Sequence, residues 1–155
     1  MRYIISMILV LFINHVSAEE IFPDQCTPIM VSGERVILPA ANSVISMIHN
    51  LSSTDLWITH PVSESNASSS WSSHLQAGHW SALVSDNKPL ELSCIESKPG
   101  HEQQISCSAV LALCQWKAKQ LPKKATDTPW AAEDMVLSPL IAFIERRGFV
   151  LSSSS

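Results

Sequence analysis

The chain has no GxSxG elbow, no HExxH pair, no CxxC spacing and, with only four glycines, no glycine-rich loop following a strand. The first two absences remove the positional part of the common serine-hydrolase and zinc-hydrolase templates. The third speaks against metal ligation by the cysteines, and the fourth leaves nothing to cradle a phosphate. Charge is scarce, at 15% of residues, and of the wrong balance for nucleic acid, ten Lys and Arg standing against fourteen Asp and Glu. A polyanion needs a basic face that displaces its counterions. Beyond the N-terminus no apolar run approaches the roughly 20 residues that span a bilayer. Tyrosine is confined to Tyr3, so beyond phenylalanine the aromatic complement is Trp57, Trp71, Trp80, Trp116 and Trp130.

What is present begins with Arg2 and an apolar run from Tyr3 to Val16, closing on Val16-Ser17-Ala18, the small-residue pattern that signal peptidases accept. Residues 1–18 read as a cleaved secretory signal, which places the mature chain in the periplasm or outside the cell. Cys26 lacks a lipobox-like small residue before it, so no lipid anchor is indicated. Cleavage after Ala18 leaves 137 residues, enough for one domain with its own core, and the loss of Arg2 leaves nine basic against fourteen acidic residues, a formal charge of −5. In such an oxidising compartment disulfides persist.

Residues 90–109 read as a hairpin carrying a cross-link. With the turn on Gly100-His101, facing residue numbers sum to 201 and Cys94 faces Cys107. A two-residue loop opening on glycine suits a type II′ turn, whose first central position needs φ > 0. Counting outward, 94/107 falls at a non-hydrogen-bonded pair, where Cα atoms approach to roughly 4.5 Å, a span that a disulfide can bridge. The register puts Leu90, Leu92 and Cys94 on one face with Ile105, Cys107 and Ala109, while Glu91, Ser93, Ser106 and Ser108 face away. Four cysteines allow three connectivities. Cys107 and Cys114 are an odd number of residues apart and in one regular strand would point to opposite faces. The preferred set is Cys94–Cys107 with Cys26–Cys114.

Short strands recur along the chain with turn chemistry between them. Residues 19–33 carry prolines and no sustained period, an extended lead-in. Arg35–Leu38 is a strand stopped by Pro39. Val44–Asn50 is apolar on both faces, as in a central strand, with Val44, Ser46 and Ile48 opposite Ile45, Met47 and His49. Leu56–His60, Trp71–Leu75 and His79–Ser85 follow, with the serine-rich stretch Ser63–Ser70 as an exposed loop and Asp86-Asn87-Lys88-Pro89 as a turn. These intervals predict an all-β fold, an antiparallel β-sandwich over residues 34–116. Residues 117–151 read as a basic surface connector and a short C-terminal helical segment packed on the sandwich. Thr128-Pro129 resembles an N-cap with proline at the first helical position, Glu133 and Asp134 suit the first turn, and Ser138-Pro139 repeats the signal. Leu140, Phe143 and Ile144 share a face and Gly148 sits where a C′ glycine belongs. Residues 152–155 are expected to form a disordered tail.

The candidate binding residues are Trp71, His74 and His79. Trp71 stands beside serines that do not form cores, where an aromatic contact could meet a membrane interface, a glycan or a protein. His74 and His79 flank a short turn and could converge, but no Cys-His-Met grouping accompanies them, so neither a metal nor a cofactor is predicted. His49, His60 and His101 read as strand-end or surface histidines. Asn50-Leu51-Ser52 and Asn66-Ala67-Ser68 match glycan acceptors that matter only in a eukaryotic host.

The segments VISMIHNLSSTDLWITHPV, WSSHLQAGHWSALV, LELSCIESKPGHEQQISC and VLALCQW, in that order behind a signal peptide, resemble the enhanced-entry protein B family of intracellular bacterial pathogens. The resemblance covers roughly Val44 to Trp116, and its more specific part is the PGHEQ turn with its flanking cysteines. It implies a small exported bacterial protein from a gene set associated with host-cell entry, and it supplies no catalytic residues. The expectation is therefore a non-catalytic interaction protein with a protein partner on the host surface or the bacterial envelope. Nucleic acid is not expected as a partner and membrane-surface contact is not predicted. The alternative is a lipid- or glycan-binding sandwich that uses an aromatic loop.

Overall fold

The computed structural model describes residues 22–60, 71–84, 89–122 and 129–152. The signal segment, the serine-rich loop, the turn before the hairpin and the Thr128 cap lie outside them. The elements in chain order are β1 Thr27–Ile29, β2 Arg35–Leu38, β3 Val44–Asn50, β4 Leu56–His60, β5 Trp71–Leu75, β6 Trp80–Val84, β7 Leu90–Lys98, β8 His101–Ile105, α1 Cys107–Val110, β9 Leu111–Gln120, β10 Trp130–Met135, α2 Leu137–Arg146 and β11 Val150–Leu151. Every strand pairing is antiparallel. One sheet runs β1-β9-β3-β6-β10 with β11 added on β9; the other runs β2-β7-β4-β5, with β8 pairing β7. The fold is a two-sheet antiparallel sandwich with a short C-terminal helix.

The alternation in β3 explains the layering. Ile48 joins Leu83, Leu113, Leu56, Ile58 and Leu92 in the core between the sheets. Ile45 and Met47 point the other way and join Trp80, Ala82, Cys114 and Trp116 beneath Leu140 and Ile144 of α2. The first sheet is therefore buried on both faces, which is why its central strand has no polar side. Helix α2 ends as Gly148 was expected to end it. Gly148 has φ +95°, its N–H donates to Glu145 O at 2.9 Å, and the N–H of Phe149 donates to Ile144 O at 3.3 Å, the paired bonds of a Schellman motif.

Both disulfides are formed, Cys26–Cys114 with Cα atoms 5.4 Å apart and Cys94–Cys107 at 5.3 Å. The hairpin register differs from the expected one by two residues. Cys94 pairs with Ile105 and Lys98 with His101, so facing numbers sum to 199 and the loop is Pro99-Gly100. Gly100 at φ +78° follows a proline, the pattern of a type II turn in place of II′. A shift of two keeps each strand side chain on its face, so Leu90, Leu92, Cys94 and Ile105 still point to the core, whereas Ala109, expected on that face, lies in α1 and is exposed. Cys107 lies beyond the end of β8, in the helical turn α1, and reaches Cys94 from there.

Other boundaries also move. The lead-in contributes β1, which carries Cys26 to β9. Lys117–Gln120 extend β9 where a connector was expected, with β11 returning alongside. The segment 130–135 is a strand, not the start of a helix. Trp130 and Ala132 pair with Leu83 and Ala82 and are buried, and Asp134 adopts φ +49°, which no helix tolerates. Burial of Trp130 and completion of the sheet edge outweigh the few tenths of a kcal/mol per residue that helix propensity offers. The helix begins at Leu137, close to the second signal at Ser138-Pro139. Ser152 is held at both ends, its N–H on Lys117 O at 3.0 Å and its carbonyl accepting from Trp116 Nε1 at 3.1 Å. Residues 153–155 of the expected tail lie outside the described residues.

Candidate functional site

The edge strands β5 and β10 belong to different sheets and meet along one side of the sandwich. At one end of this seam Trp71 sets its ring edge-on to Trp130, centroids 5.0 Å apart, and stacks on His60 at 5.5 Å. Trp71 is partly buried against the inter-sheet core. The Nδ1 of His60 faces Glu91 O at 2.8 Å, which fixes the proton on that nitrogen because a carbonyl only accepts.

At the other end His74 and His79 converge, and the point of convergence is Asp134. His74 Nδ1 lies 3.3 Å from Asp134 Oδ2 and His79 Nδ1 lies 3.0 Å from Oδ1. Gln76 adds its backbone N–H to Oδ1 at 2.8 Å and its side-chain amide to Oδ2 at 3.0 Å. Burial works to raise the Asp134 pKa; the bonds from the Gln76 backbone and side chain, His74 and His79 outweigh it and hold the carboxyl below its ordinary range. Asp134 is itself fixed by its N–H on Ser81 Oγ at 3.0 Å. The second nitrogen of His74, Nε2, faces Asp55 Oδ2 at 3.3 Å, and Asp55 Oδ1 accepts from Ala77 N–H at 3.1 Å. Spacing around the turn hinted at the histidine pair. Neither acidic partner was legible, because both come from other parts of the chain and Asp134 lies on a strand expected to be helix. Among the described residues no three His, Cys, Asp or Glu side chains are placed to hold a metal ion.

The second sheet is different from the first: α2 packs on β6 and β10, and no described helix covers the outer face of β2-β7-β4-β5. Leu56 and Ile58 are fully buried, so Trp57 and Thr59 point outward. Pairing places Gln104, Ile95, Trp57 and His74 in one row across that face, and Arg35, Ser93, Thr59 and Ser72 in the next. Trp57 is only partly buried and meets His74 edge-on at 5.1 Å. Arg35 pairs with Glu91 at 2.7 Å on the same face. Trp57 was not among the expected binding residues, although strict alternation with Leu56 and Ile58 assigns its direction.

Two sequence features receive structural roles. Asn50, of the first glycan-acceptor match, is fully buried, and its Nδ2 donates to Thr54 O at 2.8 Å and Leu75 O at 3.1 Å, so that nitrogen is committed to closing the β3–β4 turn. Asn66 lies outside the described residues. His101 opens β8 at the exposed hairpin tip.

The fold and site thus define a two-disulfide antiparallel sandwich with one outer face covered by α2 and, among the described residues, no helix over the other. Comparison with protein-family models, with curated proteins and with solved structures finds no match.

Proposed function

We propose that the protein is an exported, non-catalytic interaction protein that recognises a partner through the outer face of its second sheet, in host-cell entry or envelope assembly. The observation that carries this reading is the row Gln104–Ile95–Trp57–His74, an apolar centre of Ile95 and Trp57 between polar ends, on a sheet face that no helix among the described residues covers. Tryptophan ringed by polar side chains is the usual anchor of a protein interface. The two disulfides suit an oxidising extracytoplasmic environment, where such a surface would be presented. Host-cell entry comes from the family resemblance alone.

A lipid- or glycan-binding role is the second reading. The hydroxyls of Thr59 and Ser72 in the row next to Trp57 favour a glycan over a lipid, since an indole stacks on a sugar ring while hydroxyls bond its edge. Labelled, oxidised protein should bind host cells or bacterial envelope fractions saturably, and Trp57→Ala should abolish that binding while leaving the thermal melt within a few degrees of wild type. Binding unaffected by Trp57→Ala would overturn the proposed surface. Competition by soluble polysaccharide would favour the glycan reading over the protein one.

A further inference from the structure

The Trp57 indole stands between two register partners, Ile95 of β7 on one side and His74 of β5 on the other. Side chains directly opposite each other on one sheet face are close enough to touch. The His74 ring meets the indole edge-on, with centroids 5.1 Å apart and planes at 62°. His74 is itself anchored, its Nδ1 lying 3.3 Å from Asp134 Oδ2. That carboxyl is held below its ordinary range, so it is ionised and only accepts, which makes Nδ1 the donor. Asp134 in turn accepts from the Gln76 backbone and side chain at 2.8 and 3.0 Å, and its own N–H donates to Ser81 Oγ.

A tryptophan that is free to change rotamer on a surface must be ordered when a partner binds, and that ordering is subtracted from the affinity. An indole held by Ile95 on one flank and by a hydrogen-bonded imidazole on the other is ordered before the partner arrives. We propose that His74 is a positioning residue for Trp57: fixed by Asp134 across the seam between the sheets, its ring holds the indole in one orientation on the outer face of the second sheet and preorganises the contact with the partner. This role rests on that face being the binding surface. It makes binding on the second sheet depend on a residue of β10, which belongs to the first.

A side chain that only tied the two sheets together would need the donor alone, whereas one that positions Trp57 needs the ring. His74→Asn separates the two, because the asparagine amide can donate to Asp134 in place of Nδ1 while the ring is lost. His74→Gln, with a longer amide that reaches for the same carboxylate, serves the same purpose should the first variant fold poorly.

The test has two readouts on the disulfide-bonded protein at one pH. The first needs no partner: the ¹⁵N order parameter of the Trp57 indole N–H, assigned by the signal that Trp57→Phe removes. It should match the roughly 0.85 of rigid backbone in wild type and fall below about 0.6 in His74→Asn. The second is saturable binding to intact host cells and to bacterial envelope fractions, which His74→Asn should weaken about threefold to tenfold, the reach of one aromatic contact. An unchanged order parameter overturns the positioning role whatever surface binds. A fallen order parameter with wild-type binding, where Trp57→Ala abolishes binding, overturns it and leaves the proposed surface standing. Binding indifferent to Trp57→Ala overturns the surface, and the role of His74 with it.

Discussion

His49 lies flat against Trp80, ring centroids 4.0 Å apart and planes 8° from parallel. The two residues are register partners on β3 and β6. Burial in this stack lowers the pKa of His49 from its ordinary 6.5; a bond to the Gly78 backbone opposes the shift without cancelling it. The unfolded chain then binds more protons than the folded one below the ordinary histidine value, so this group costs stability as pH falls from about 6.5 toward its folded pKa. His49→Phe keeps the stack and removes the titration. The stability of wild type relative to His49→Phe, from urea unfolding at a series of pH values, should decline as pH falls from 7.5 to 5. A difference independent of pH would show that His49 titrates alike in both states.

The two cross-links close loops of very different length, with sequence separations of 88 for Cys26–Cys114 and 13 for Cys94–Cys107. Loop-closure entropy makes the longer one worth about 4.5 kcal/mol and the shorter about 3 kcal/mol. Paired serine substitutions should therefore cost more at 26/114. Equal losses in chemical denaturation would mean that residual structure in the unfolded chain already restrains the long loop.

Much of this fold was legible because its strands obey period two. Val44–Asn50 divides its side chains between two cores as the alternation requires, and a hairpin register wrong by two still left Cys94 and Leu92 inside. Trp57 was equally legible in direction, since Leu56 and Ile58 occupy the inward positions. The strand at 130–135 was not. Thr128-Pro129 and two alanines resemble a helix start, and what makes Trp130–Met135 a strand is the edge of β6 that it pairs, a feature of tertiary structure. The convergence of the histidines on Asp134 was hidden for the same reason, because Asp134 and His74 are 60 residues apart.

Helix α2 is held to the first sheet by Leu140 and Ile144, both fully buried, and by Arg147, whose Nη1 donates to Trp130 O at 3.1 Å and also to Ala131 O. Leu140→Ala leaves a cavity in the core cluster that also holds Met47, Trp80 and Trp116 and should cost about 2–5 kcal/mol. Substitution of the exposed His101 should stay within about 0.5 kcal/mol. Comparable effects of the two in thermal melts would mean that α2 is not docked in solution.

Asp134 offers the sharpest separation of charge from conformation. It sits at φ +49°, where asparagine and aspartate are tolerated better than most residues with a Cβ, and it accepts from Gln76 twice and faces two histidines. Asp134→Asn keeps the backbone preference and one carbonyl acceptor, but gives up the charge and presents an amide nitrogen to one pair of donors. Asp134→Ala gives up every acceptor and adds backbone strain. The expected order of stability at pH 7 is wild type above Asn above Ala, with Ala about 2–3 kcal/mol below wild type because several partly buried donors lose their partner together. Asp134→Gly distinguishes the two contributions: it relieves the positive φ and removes the acceptors. If glycine matches wild type, the residue is present for its backbone angle. If glycine falls with alanine, the carboxylate hub is what holds the seam.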